Sequence, residues 1–425
     1  MIWTLLVGLV VLLALNIPVA YAMLAVSIIY LVIMQDVPMI LVAQQLAAGT
    51  DKFLLLAIPF FFLASEFMNS GGVMHRLVDL ARAMVGHLRG GLGQMNVVGS
   101  MFFAGISGSA VADAAGLGRL EIEVMRRAGY PHGFSAAITA ASATIGPIIP
   151  PSIPLVVYGS IANVSVGRLF LAGFVPGVLM GIFLMASVWW VAGRRNFPKS
   201  EWLGFRELLR STIRSIPVLV LPVIILGGIF SGVFTATESA IVAAFYALVI
   251  GLILRELKLT QVPSILVRVA ADTARVMLII AAASLYSWIL AREGFPGQIA
   301  NFFLGVSSEP WLFLVLTNIL LLFLGCFMEP LAIMAIIVPT LLPVVKALGI
   351  DLVHFGLIVT LNLMIGLVTP PVGIVMFIVM HITKVSMEEF IREAWPFLIA
   401  LLLVLLFITY VPSMVLFLPN YFMGP

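Results

Sequence analysis

Charge is scarce in this chain: 22 Lys and Arg and 19 Asp and Glu among 425 residues, or 10%. A soluble protein of this size would need far more to cover its surface. No stretch longer than about twenty residues is polar enough to fold as a separate soluble domain. Cysteine is nearly absent as well. Cys326 stands alone, which excludes an internal disulfide and a cysteine-based metal cluster. The five histidines, His75, His87, His132, His354 and His381, show no ligand spacing. No phosphate-cradling glycine motif occurs, so the chain does not itself hydrolyse ATP. No nucleophile–base set points to an enzyme, and no cofactor other than a coupling ion is expected. The net charge of +3 is unevenly spread and speaks to topology, not to a nucleic-acid partner.

What is abundant is apolar length. At 62% hydrophobic residues the chain falls in the polytopic membrane class, all-α within the lipid bilayer. Apolar runs place spans near 2–16, 19–34, 53–69, 133–164, 167–193, 216–231, 238–254, 274–291, 355–383 and 396–418. The first run lacks a cationic flank and a cleavage site, so it is expected to be retained as a span. The runs near 133–164 and 355–383 are long and broken. Two more, near 93–118 and 310–345, are interrupted at Gly105-Ile106-Ser107-Gly108-Ser109 and at Gly325-Cys326-Phe327-Met328-Glu329-Pro330. These are expected to be re-entrant hairpins.

The breaks repeat. Ile145-Gly146-Pro147-Ile148-Ile149-Pro150-Pro151 returns 220 residues later as Ile365-Gly366-Leu367-Val368-Thr369-Pro370-Pro371. Gly105 and Gly129 recur at the same offset as Gly325 and Gly349. Proline and glycine inside an apolar run free backbone groups that hydrocarbon cannot satisfy, so such breaks belong where they line a protected site. Matched breaks in two halves point to the binding site of a secondary transporter.

An external N-terminus puts eighteen of the 22 cations inside, among them Arg119, Arg126, Arg127, Lys199, Arg268, Arg275 and Lys384. Only Lys52, Arg168, Arg292 and Lys346 then lie outside. Each half has five full crossings and a hairpin, and an odd count inverts the second copy. The expected division is a first repeat over 1–195, a connecting cytoplasmic helix over 196–215 carrying Trp202, Phe205, Leu208 and Leu209, and a second repeat over 216–425. Segments 73–89 and 293–305 are either arms joining a moving domain to a fixed one or helices that lie flat at the interface.

At the first hairpin turn, glycine reverses the chain and Ser107 and Ser109 offer hydroxyls. The incoming half-helix presents free carbonyls to a cation, and the outgoing one presents amides to a carboxylate. With carbonyls from the Gly146 to Pro151 break, a Na⁺ site is the expectation. The second half repeats this with Gly325, Gly366, Thr369 and Pro371, where Thr369 stands in place of Ile149. The half-helix starts at Ser109 and Pro330 are expected to face one midplane site with no lysine or arginine. The buried-looking acids are Glu66, Asp113, Glu238 and Glu329. Asp113 either acts at the site, caps, or pairs with Arg119. Glu66 stands near a turn at Asn69-Ser70-Gly71-Gly72, and Glu329 suits a helix start by its charge alone.

The Gly105–Ser109 turn, the Gly146-Pro147-Ile148-Ile149-Pro150-Pro151-Ser152 break, and Asn362-Leu363-Met364-Ile365-Gly366-Leu367-Val368-Thr369-Pro370-Pro371 resemble the large membrane subunit of tripartite ATP-independent periplasmic (TRAP) transporters. The resemblance covers essentially the whole chain. It implies an elevator-type, Na⁺-driven importer of organic acids in a bacterial inner membrane, where the charge bias puts both termini on the periplasmic side. It implies two partners, a small four-span membrane subunit and a periplasmic solute-binding protein. It places sodium at Ser107, Gly146, Ile149 and Pro151 and at Gly325, Gly366 and Thr369. Solute is expected against Ser107, Gly108, Ser109, Asn362, Pro150 and Pro370. A stand-alone Na⁺/organic-anion symporter of similar fold is the alternative. A channel is disfavoured, because a continuous polar path is missing.

Overall fold

The structure is a computed structural model that describes residues 2–424 except 16, 35–36, 71–72, 196, 199–200 and 307–308. Lys199 and the Gly71-Gly72 part of the expected turn therefore lie outside the described residues. Every regular element among the described residues is a helix.

The first half runs α1 (Ile2–Ala14), α2 (Val19–Met34), α3 (Ile40–Thr50), α4 (Ala57–Ser70), α5 (Val73–Val85), α6 (Gly91–Ser107), α7 (Ala110–Ala115), α8 (Leu117–Arg127), α9 (His132–Ala143), α10 (Ile153–Ala162) and α11 (Val166–Arg195). The second runs α12 (Phe205–Phe230), α13 (Ala236–Ile253), α14 (Val262–Arg292), α15 (Phe295–Val306), α16 (Pro310–Gly325), α17 (Pro330–Ala347), α18 (Leu352–Gly366), α19 (Ile374–Thr383), α20 (Met387–Tyr410) and α21 (Pro412–Met423). From α5 onward the first-half elements have counterparts about 220 positions later. The same offset relates the turn residues Gly129 and Gly349, both with positive φ, and the helix-capping residues Ser109 and Glu329.

Both hairpins and both broken helices form where the Gly-Pro punctuation puts them. Gly108 reverses the chain in the left-handed region at φ 63°, and Ser109 then caps α7 by accepting from the amide of Ala112. In the second hairpin Glu329 caps α17 in the same way through the amide of Ala332. The peptides Pro150-Pro151 and Pro370-Pro371 are both cis.

Three boundaries differ from the sequence reading. α3 was not anticipated; with α4 it forms one apolar unit bent by 60° at Asp51-Lys52. The connecting segment does not stop short of the span, because α12 continues unbroken from Phe205 through Pro217 and Pro222 to Phe230. The last expected span is two helices, divided at Val411-Pro412, where proline cannot continue the α20 hydrogen-bond ladder. Six described helices are long and apolar enough to cross a membrane, seven if α3–α4 counts as one span. The expected ten crossings would need shorter helices as well. α2, for example, rises about 24 Å against a hydrocarbon core of about 30 Å.

The halves interlock. α7 of the first hairpin packs against α19, the far limb of the second broken helix, and α17 of the second hairpin packs against α10, the far limb of the first. Around them lies one large core, with Phe134, Tyr158, Phe355 and Phe397 fully enclosed. A smaller core joins α1 and α2 to α14 through Leu5, Met23, Tyr286 and Leu290, and takes in Ala335 and Ile336 of α17. α5 is tied to the second half: Arg76 pairs with Glu256 and donates to the carbonyl of Arg214, while Ser215 donates to the carbonyl of Arg76.

Candidate functional site

The interlock brings both hairpin tips and both breaks to one cavity of about 460 Å³. Gly108 and Ser109 line it from the first tip, Pro147 and Pro154 from the first break, Glu329 and Pro330 from the second tip, and Met364 and Leu367 from the second break. Of the expected solute residues only Gly108 and Ser109 reach it. Ser107 and Pro150 are buried behind the wall, and Pro370 is half-buried beyond it.

Behind the first tip is a polar cluster closed to solvent. The Ser107 hydroxyl donates to one oxygen of the Asp113 carboxylate and accepts from the amide of Ser109 at 3.2 Å. The other Asp113 oxygen has no hydrogen-bond partner and abuts Gly146, where any side chain would collide with it. Arg119 is not its partner. The carbonyls of Gly146, Ile149 and Pro151 accept no hydrogen bond from the described residues. An orphaned carboxylate oxygen, a hydroxyl and unclaimed carbonyls are the donor set of a hard monovalent cation. Na⁺ therefore fits here, with Asp113 added to the residues foreseen.

The second copy is built differently. Gly325 and Gly366 meet backbone to backbone: a Cβ on Gly366 would fall 2.6 Å from the Cα of Gly325. The amide of Val372 donates to the carbonyl of Cys326 at 3.1 Å and locks tip to break. The Thr369 hydroxyl donates to the carbonyl of Ile365 at 2.7 Å, which leaves its lone pairs available. The carbonyls of Gly325 and Thr369 are unclaimed by described residues, whereas that of Gly366 accepts from Thr369. Ile333 stands at the position matching Asp113, and the tip's own acid, Glu329, is engaged in capping α17, so the two sites are not equivalent.

Asn362 belongs elsewhere. It is fully buried and donates to Asn318 at 2.7 Å, while Asn318 donates to Thr409 at 3.2 Å. This ladder ties α16, α18 and α20 together. The first half has its own version, in which Ser142 donates to Asn96, and Asn96 donates to Glu121 and Thr139. Glu121 is fully buried and was not anticipated, because the amphipathic pattern of α8 around it reads as a surface helix.

The opposite wall comes from α4 and α14 and carries Glu66, one of the acids foreseen, and Arg275, a cation not expected at the site. Arg275 lines the cavity and pairs with Asp272 at 2.8 Å; Glu66 pairs with Arg268 at 3.1 Å. Pro330, by contrast, begins a helix whose amide at Ala332 is already taken by Glu329. The positive end of α17 is thus capped by an acid. Glu238 is not buried; it is exposed and forms a capping box with Thr235 at the start of α13.

Two hairpins and two broken helices converging on one cavity are a transporter's arrangement, and the family comparison agrees. The family model described as the DctM component of the tripartite ATP-independent periplasmic transporter matches residues 6–414. The chain belongs to this family. Among its relatives, the sialic acid TRAP transporter large permease protein SiaM of Vibrio cholerae is 42% identical over 96% of both chains. The C4-dicarboxylate large permease DctM of Pseudomonas aeruginosa is 43% identical over 89% of both. The 2,3-diketo-L-gulonate large permease YiaN of Escherichia coli is 37% identical over 95% of both. The fold of this large permease is also similar to a crystal structure of the Alcanivorax borkumensis YdaH transporter. That likeness has a TM-score of 0.59 at 14% identity and covers 88% of this chain and 87% of the other. The chain is accordingly a membrane transport subunit and not an enzyme.

Proposed function

We propose that this large permease imports a carboxylate-bearing solute on an inward Na⁺ gradient, across a bacterial inner membrane with both chain termini periplasmic. A periplasmic solute-binding protein delivers the solute, and a separate small four-span subunit completes the membrane complex. The observation that carries the reading is the shared cavity of two tips and two breaks, with the orphaned Asp113 oxygen directly behind the first tip. The solutes named for the three relatives are all carboxylic acids. The halves act as inverted repeats divided at the α11–α12 connection. The smaller core of α1, α2 and α14 suits a fixed scaffold on which α17 of the second hairpin rests, and against which the block of hairpins and broken helices moves as an elevator.

Sodium, when bound, supplies positive charge beside the solute. Ser107, Asp113 and the carbonyls of Gly146, Ile149 and Pro151 would hold one ion; Gly325, Gly366 and Thr369 would hold a second through backbone and hydroxyl oxygens. The chain itself orients the solute through the amide of Gly108, the hydroxyl of Ser109 and the Arg275 guanidinium.

Reconstituted complex is expected to accumulate solute under an imposed Na⁺ gradient without ATP. Equal uptake in sodium-free, potassium-matched buffer would overturn the coupling. Equal uptake without the binding protein would favour the stand-alone symporter. Arg275→Ala is expected to raise the solute KM about tenfold, the scale of one solvated charge-assisted contact, with little change in kcat. Arg275→Lys should recover part of it. An unchanged KM would remove Arg275 from the solute site.

A further inference from the structure

Two further cavities adjoin the central one. The first, of about 820 Å³, shares Ala115 and Ile374 with it and continues between α7–α8 and α19. The second, of about 920 Å³, shares Arg119, His381 and Ile382 with the first. The three thus lie in series, each bordering the next through shared lining residues. The middle is apolar, walled by Val372, Phe377, Ile378 and Met380. The far end is cationic: Arg119, Arg126, Arg127 and Lys384 line it against the single acid Glu123. Glu123 pairs with Arg126 and Arg127, so Arg119 and Lys384 carry no ion pair among the described residues.

We propose that these cavities are one route by which a solute anion leaves the central cavity for the cytosol, with Arg119 and Lys384 as its cationic mouth. The inference rests on the transport reading above. An apolar middle offers an anion nothing to hold it. A field focused by low-dielectric walls from unpaired cations at one end draws it outward. The mouth is wide and solvated, so an arriving anion is released there and not trapped. An anionic lipid headgroup would also suit the cations. A lipid site, however, has no need to border the solute cavity at Ala115 and Ile374, and this placement favours the solute.

The test reads charge preference inside the route without any solute. Ala115→Cys is made in the assembled complex with the native thiol removed by Cys326→Ser. It is then labelled with a sulfonate-bearing and a trimethylammonium-bearing methanethiosulfonate, each rate normalised to that with a free thiol in solution. The anionic reagent is expected to react at least about fivefold faster. The preference should vanish in Arg119→Gln/Lys384→Gln and persist in Arg119→Lys, which keeps the charge. Equal normalised rates, or a preference untouched by the double substitution, would overturn the route. So would protection of the introduced thiol in nanodiscs of phosphatidylglycerol relative to phosphatidylcholine, which would assign the cleft to a lipid. Loss of Na⁺-driven uptake by the unsubstituted complex would sink the transport reading alone, because the labelling requires no transport.

Discussion

Uptake is expected to fall about a hundredfold or more when Gly366 is replaced by valine, with the complex still assembled. A Cβ at this position would meet the Cα and carbonyl carbon of Gly325 at 2.6 Å and its oxygen at 2.7 Å. Every obstructing atom is backbone, so nothing can swing aside, and the second tip must separate from its break. Overpacking costs about 1–3 kcal/mol even where side chains can adjust, and the upper end of that range already exceeds a factor of one hundred. Gly366→Ala should do nearly the same damage, since the conflict begins at Cβ. Gly146→Val should do less, because there the obstacle is the Asp113 carboxylate, a side chain that can rotate. The checks are the initial rate under an imposed Na⁺ gradient and the elution profile of the complex. Normal Na⁺-dependent uptake by Gly366→Val would reduce the contact to a packing kink.

Asp113→Asn is expected to raise the sodium requirement about thirtyfold, the lower end of what removing one member of a buried charge pair costs. The same substitution should raise the thermal midpoint in sodium-free buffer by at least about 2 °C. The two effects have one cause. Asp113 is enclosed, its one described partner is the Ser107 hydroxyl, and a buried carboxylate without a cation is destabilising. Wild-type protein should therefore gain thermal stability as Na⁺ is added, because a ligand that binds only the folded state stabilises it. Asp113→Asn should gain little. A normal Na⁺-dependent shift in this variant would place the ion elsewhere.

The hairpins and broken helices were legible because glycine and proline act locally and their effect does not wait on tertiary packing. Gly108, Gly146 and the two Pro-Pro pairs punctuate the chain wherever the surrounding helices sit. Charge, by contrast, misled. The reading began one span at 216, just after Arg214, and another at 274, just before Arg275, since charges mark span ends on a hydropathy scale. The backbone ladder of α14 does not stop there, because Asp272 one turn away pairs with Arg275 and Glu66 on α4 reaches Arg268. Arg275 was thus placed at the inner end of a span, as a topology mark, and missed at the cavity. Asn362 erred the other way: its place in a motif suggested contact with solute, and only the tertiary neighbours Asn318 and Thr409 disclose the ladder it completes.

The backbone contact of Gly325 with Gly366 has a consequence for how solute preference can change. No side-chain layer lies between that tip and its break, and Gly108 lies equally close to Pro151, whose oxygen would sit 2.5 Å from an added Cβ. These surfaces have nothing to mutate without losing the fit that forms them. Phe62, Ser65 and Arg275, on the α4–α14 wall of the same cavity, meet no such restriction. One side of the chamber is therefore a fixed die and the other an adjustable face, and a change of cargo in this scaffold has to be written on the adjustable one.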